Sequence, residues 1–241
     1  YNEDTSGKLT TTLGGAIRAI TIDDLKVFKQ KVDAFEAEIK RKGGSLGGIA
    51  PRAVIDMALA SDLQRARRQI TRAVLHNAKD GLLHFITNAG PDSTARNHHV
   101  HIRLMAFDAA AAAATLDPQK AARKLRTGAI KFDCDCGRHT FWYRYIATKG
   151  GFNYGRPETG YPKIRNPKLV GVACKHVLRV MQAILKDANV KSAAARMIAA
   201  AQANDLKVQR TTNEQARDMA EAARDAHAAE LRAIRDLVAP G

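Results

Sequence analysis

Phe132-Asp133-Cys134-Asp135-Cys136-Gly137 and, after 37 intervening residues from Cys136, Cys174-Lys175-His176 contain every cysteine of this 241-residue chain. Three thiolates and one imidazole make a tetrahedral Cys₃His donor set, a normal composition for structural zinc. The spacing can deliver it. Two cysteines flanking one residue converge only where a strand ends in a tight turn, and Gly137 permits that turn. Positions two apart in a regular helix diverge by about 200°. Cys174 must therefore precede a helix whose first turn holds His176. The competing reading is that the cysteines are simply buried or form a disulfide; an odd number argues against a secreted disulfide scaffold. Four available soft ligands also argue against a catalytic zinc, which keeps one position open for water.

This C-x-C…C-x-H layout, over roughly residues 132–182, resembles the SWIM zinc-finger family. The resemblance implies Cys134, Cys136, Cys174 and His176 as ligands of one structural Zn²⁺. It also implies a strand hairpin followed by a helix, and a role in DNA or protein interaction rather than in catalysis at the metal. The 37-residue spacer is long for that family, and the Gly/Pro-rich insert 150–167 accounts for the excess. The stretch His139-Thr140-Phe141-Trp142-Tyr143-Arg144-Tyr145 is similar to uncharacterised SWIM-bearing proteins of tailed bacteriophages, which implies a virion context.

Charge and aromatics concentrate in the same place. The formal net charge is +15, which favours polyanionic partners. Residues 132–186 have 10 basic and 3 acidic side chains, whereas residues 187–241 have 8 of each. Eight of the 13 aromatics lie between Phe132 and Tyr161. Within the insert, Arg156, Lys163, Arg165 and Lys168 together with Tyr154 and Tyr161 suit phosphate contact and base stacking. A loop packing its tyrosines onto the zinc module explains them equally well. Arg65, Arg68 and Arg72 fall at helical spacings and form a second candidate phosphate-binding stripe, or a solvated helix face.

Outside the zinc region the pattern is mostly helical. Thr21 with Asp24 reads as a capping box, with Asp in place of Glu. It opens a helix carrying the heptad seam Leu25, Phe28, Val32, Phe35 and Ile39. That seam packs on its own domain or docks a neighbouring subunit. Pro51 starts a helical pattern expected to run, with a break near Ser61, to about Ala78. Residues 82–87 and 98–106 read as strands of a hairpin with a long loop, Val100, Ile102 and Leu104 facing one way and His99, His101 and Arg103 the other. His99 and His101 could offer two metal ligands, but no nearby Cys or Glu completes a set, so a polar strand face is expected. Asp117-Pro118 caps a short basic helix ending at Gly128. Strands are expected at 129–133 and 140–147, with Phe141, Tyr143 and Tyr145 on one face. An apolar helix follows Cys174, and Ala-rich helices cover about 192–204 and 212–237.

The expected fold is α+β and mainly helical: an N-terminal helical region with a β-hairpin over 1–128, an embedded zinc-stabilised strand-hairpin-plus-helix module over 129–186, and an Ala-rich helical tail over 187–241. The expected function is a non-catalytic zinc-binding protein that contacts nucleic acid. The alternative is a structural component of a tailed-phage particle, with the 21–42 and 192–237 helices docking neighbours. No phosphate-binding glycine loop, nucleophile elbow or carboxylate pair nominates an enzyme or a small-molecule substrate. No run of 18 apolar residues suggests a membrane span. Residues 1–12 lack a signal-peptide layout. The thiol set points to a reducing, cytoplasmic compartment, or to a virion if the phage resemblance holds.

Overall fold

A computed structural model describes residues 9–41, 47–91, 93–113 and 115–204, together with positions 214, 215, 217, 218 and 221. The elements run β1 (Thr10–Thr11), β2 (Arg18–Ala19), α1 (Ile22–Arg41), α2 (Pro51–Asp56), α3 (Ala60–Gln69), β3 (Ala73–Lys79), β4 (Leu82–Asn88), β5 (Asn97–Leu104), α4 (Phe107–Ala112), α5 (Pro118–Thr127) and β6 (Ile130–Cys134). A π-helical turn (His139–Tyr143) then leads into α6 (Arg144–Lys149), and α7 (Lys175–Lys186) is followed by a helix over 188–204, α8. The fold is α+β, with a two-stranded and a four-stranded sheet.

The large sheet is an antiparallel meander in the order β3-β4-β5-β6. The alternation expected of residues 98–104 is present: Val100, Ile102 and Leu104 are fully buried. They share the inner face with Leu83, Phe85, Ile130, Phe132 and Cys134. Helix α7 packs across β3, β5 and β6 and against α2, α3 and α5. It buries Val177, Leu178, Val180, Met181 and Ile184. One apolar cluster runs without interruption from Phe35 on α1 to Ile198 on α8. Residues 129–186 therefore share their core with both flanks.

Local signals set several boundaries. The Thr21 N–H donates to Asp24 Oδ2 at 2.8 Å and the Asp24 N–H to Thr21 Oγ1 at 3.3 Å, a reciprocal cap on α1. Arg18 clamps the same carboxylate with both of its terminal nitrogens, at 2.6 and 2.7 Å. The Asp117 side chain accepts the Lys120 N–H at 2.9 Å at the start of α5. Arg126 donates to the carbonyls of Leu185 and Asp187, satisfying the end of α7.

Two expectations are corrected. Residues 73–79 form strand β3 rather than continuing a helix. The α3 pattern stops at Gln69, and the Asn88 side chain takes the backbone N–H groups of Thr71 and Arg72 at 2.9 Å, binding that segment to the sheet. Residues 140–147 are helical, so the zinc region has no hairpin of its own. His139, Tyr143, Ile146 and Ala147 all point inward at spacings of four, three and one, whereas Phe141 is 64% exposed. The helical period wins there over the apparent alternation. The heptad seam follows the first of its two readings, packing mostly on its own domain, with Leu25 left 55% exposed. Phe28, Phe35 and Ile39 of the heptad seam are buried, Phe28 stacking on Tyr161 at 4.3 Å between ring centroids. On α8, Val190, Ala194 and Ile198 are buried, and the Gln202 amide donates to three carbonyls around the end of α4. The expected 212–237 helix lies mostly outside the described residues. No helix among the described residues is long and apolar enough to cross a membrane.

Candidate metal centre

Strand β6 ends at Cys134, and the chain turns through Asp135 to Cys136 at the entrance of the helix over 137–149. Cys174 is extended and occupies the position just before α7, with His176 in the first turn. Ligand atoms of Cys134, Cys136, Cys174 and His176 all lie within 4.8 Å of one another, and all four residues are buried. His176 Nδ1 is 4.0 Å from both Cys134 Sγ and Cys174 Sγ. With zinc–sulfur bonds of about 2.3 Å, the edge of a tetrahedron is about 3.8 Å. The donors thus stand close to the positions a four-coordinate ion requires. No other group of three or more such ligands converges among the described residues.

The electrostatics also fit a cation. Burial pushes the thiols of Cys134 and Cys174 well above the ordinary range. Hydrogen bonds from those two thiols hold Cys136 far below it, against the effect of burial. Burial and mutual repulsion disfavour three thiolates side by side, and a dication offsets their charge. Cys136 Sγ also accepts the His139 N–H at 3.3 Å, so the thiolate sits at the positive end of a helix. His176 Nε2 is buried without a hydrogen-bond partner.

The surrounding shell is polar and ordered. Asp135 ties the Cys134–Cys136 turn to β5, its carboxylate taking His98 Nδ1 at 2.8 Å and the His99 N–H at 3.1 Å. The His98 ring lies 4.3 Å from that of His176. On the other side of Cys134, Arg144 donates to Asp133 at 3.1 Å, and His139 Nε2 is 3.1 Å from the same oxygen. Burial works to raise the Asp133 carboxyl, but these two partners prevail and hold it below the usual range. A fully buried carboxylate, Asp62 on α3, accepts the Tyr143 hydroxyl and both Arg65 and Arg138. Arg138 in turn lies over the Trp142 ring at 3.5 Å. Sequence alone does not single out Asp62, because one Asp beside three arginines reads as a solvated face.

The residues expected to bind a partner separate into two groups. Arg156, Arg165, Lys168, Arg68 and Arg72 are exposed, and Tyr154 is 40% exposed. Tyr161 is a packing residue, stacked on Phe28, its hydroxyl donating to the Pro167 carbonyl at 2.8 Å. The Lys163 carbonyl pins the insert to Thr11 and Thr12. Arg65 is engaged by Asp62, and Arg72 lies beyond the end of α3, so the three arginines do not form one helical stripe. No protein-family model, curated protein or solved structure matches the chain.

Proposed function

We propose that Cys134, Cys136, Cys174 and His176 hold one Zn²⁺ in a closed structural site, and that the chain is a non-catalytic binding protein whose basic surface contacts a nucleic-acid backbone. Four protein donors of which three are thiolates leave no open coordination position. The C-x-C…C-x-H ligands support a SWIM-type reading, with a helix in place of the family's second strand.

One observation carries the nucleic-acid reading. Helix α7 starts at the metal ligands and presents Lys175, Arg179 and Lys186 along one face, at spacings of four and seven. Lys175 donates to Gln69 and Arg179 to Gln182 and the Thr71 carbonyl, all neutral groups. Neither cation pairs with a carboxylate among the described residues. Arg179 and Lys186 line a groove with Thr71, Gln182 and a single carboxylate, Asp187, and Arg68 and Arg72 are exposed. Eleven residues of helix span about 16 Å, or about five steps of a duplex strand. The metal would fix the origin of that row of charges.

Fluorescence anisotropy with a labelled duplex at increasing salt tests this. Replacing Lys175, Arg179 and Lys186 with Gln should lower the slope of log affinity against log salt by about 0.9 for each phosphate no longer neutralised. A shallower slope instead on replacing Arg156, Lys163, Arg165 and Lys168 would move the interface to the insert. A second reading, a structural part of an assembly such as a phage particle, draws on the exposed apolar residues Leu9, Ile17, Ile22 and Leu25. Absence of DNA binding together with a large discrete oligomer by mass would favour it.

A further inference from the structure

The sequence offers His99 and His101 on one strand face with nothing to complete a metal site. The fold supplies the missing partners from neighbouring strands. His84 on β4 stands opposite His101 on β5, with His99 two residues away on the same face of β5, and His76 sits at the bulge of β3. His84 Nε2 and His99 Nδ1 are 2.8 Å apart. The His101 ring stacks on His84 at 4.5 Å, and the His76 ring meets its edge at 5.2 Å.

We propose that His84 and His99 form a second metal site, selective for Ni²⁺ or Cu²⁺ over Zn²⁺, on the outer face of the sheet. Two nitrogens bound cis in a square-planar or octahedral ion, at about 2.0 Å each, stand about 2.8 Å apart; a tetrahedral ion would spread them to about 3.3 Å. The rings meet in a hydrogen bond of 2.8 Å, so the two nitrogens already stand at the former spacing. All-imidazole donors suit late first-row ions, and the affinity order favours Ni²⁺ and Cu²⁺ among them. The ligand form is also the resting form of His84. Burial first, then its neighbours His101, His99 and His76, lower its pKa, with Asp135 acting weakly the other way. No third His, Cys, Asp or Glu atom lies within 4.8 Å of both nitrogens among the described residues. Water therefore fills the remaining positions, and the ion is exchangeable, unlike the buried one.

The test is calorimetric titration of Ni²⁺ into the full zinc-loaded chain at neutral pH, with zinc content and the visible spectrum followed in parallel. The expected result is one Ni²⁺ per chain, retained zinc, and paramagnetic broadening of the His84 and His99 ring signals. His84→Gln and His99→Gln should each weaken binding by at least about tenfold, the lower end of what even supporting residues contribute at metal sites; His76→Gln should leave it unchanged. Thermal melting of each variant separates loss of a ligand from loss of fold. Absence of binding, binding that survives both substitutions in folded variants, or Zn²⁺ binding as tightly as Ni²⁺ would overturn the assignment. So would a nickel–thiolate charge-transfer band with release of zinc.

Discussion

Stripping the proposed zinc is the most informative perturbation, because the fold makes a two-sided prediction. Structural zinc in a thiolate–imidazole set contributes on the order of 10 kcal/mol in zinc-finger peptides. The unfolded chain's own thiols also bind the ion and reduce that figure, so about 5 kcal/mol is a conservative net value. For a domain of this size each kcal/mol moves Tm by about 2–4 °C, and the melting temperature should fall by about 10–20 °C. The fold should nevertheless persist at room temperature. Phe85, Ile102, Val177, Leu178 and Ile184 are buried in one continuous cluster that extends to α1 and α8, and their apolar packing does not depend on the ion. The assay is far-UV circular dichroism melting with and without a high-affinity chelator under reducing conditions, with metal content measured on the same samples. An unchanged Tm after verified metal removal would show that the site is not structural. Complete loss of helicity at room temperature would refute the shared core and restore a self-contained zinc module.

Asp62→Ala should destabilise the chain by about 3 kcal/mol in urea denaturation, since it strands the buried Tyr143 hydroxyl and the Arg138 guanidinium; Tyr143→Phe, which removes the hydroxyl's bonds to Asp62 and Arg138 but leaves the carboxylate paired with its arginines, should cost about 1 kcal/mol. Equal effects of the two substitutions would contradict a carboxylate-centred network. His84 has a lowered folded pKa, so its neutral form contributes stability that is fully present above the unfolded value of about 6.5 and is lost as pH falls through the folded value. The urea midpoint should drop from neutral to mildly acidic pH, and His84→Gln should flatten part of that drop; an identical pH profile in the variant would exclude His84 as a contributor.

Much of the metal centre was legible because its chemistry is confined to rare residues. Three cysteines and a histidine in two close pairs leave few alternatives, and the divergence of i and i+2 on a helix placed Cys174 outside α7, as observed. The caps at Thr21 and Asp117 were equally readable, each being a local hydrogen bond between neighbours in sequence. The misreadings all depend on distant partners. Tyr143 and Tyr145 fit both a period of two and a helical period, and what decides is burial of the His139, Tyr143 and Ile146 face. Strand β3 has the apolar spacing of a helix, but β4 pairs with it. Tyr161 reads as a stacking surface until Phe28, more than 130 residues earlier, lies against it. Arg65 reads as free charge until the burial of Asp62 is known. The histidine group is only half legible in sequence for the same reason: His99 and His101 share a strand face, but His84 and His76 come from two other strands.

The order of the four candidate ligands along the chain has a consequence for synthesis. Cys136 leaves the ribosome 38 residues before Cys174, a delay of about 2–8 s at about 5–20 residues per second. During that interval the nascent chain presents a two-thiolate half-site, able to capture a soft ion or be oxidised. The last two ligands emerge with α7, whose apolar face also closes the sheet. With the proposed ion bound, completing the coordination sphere and sealing the core would be one step, which would link metal loading during translation to correct folding.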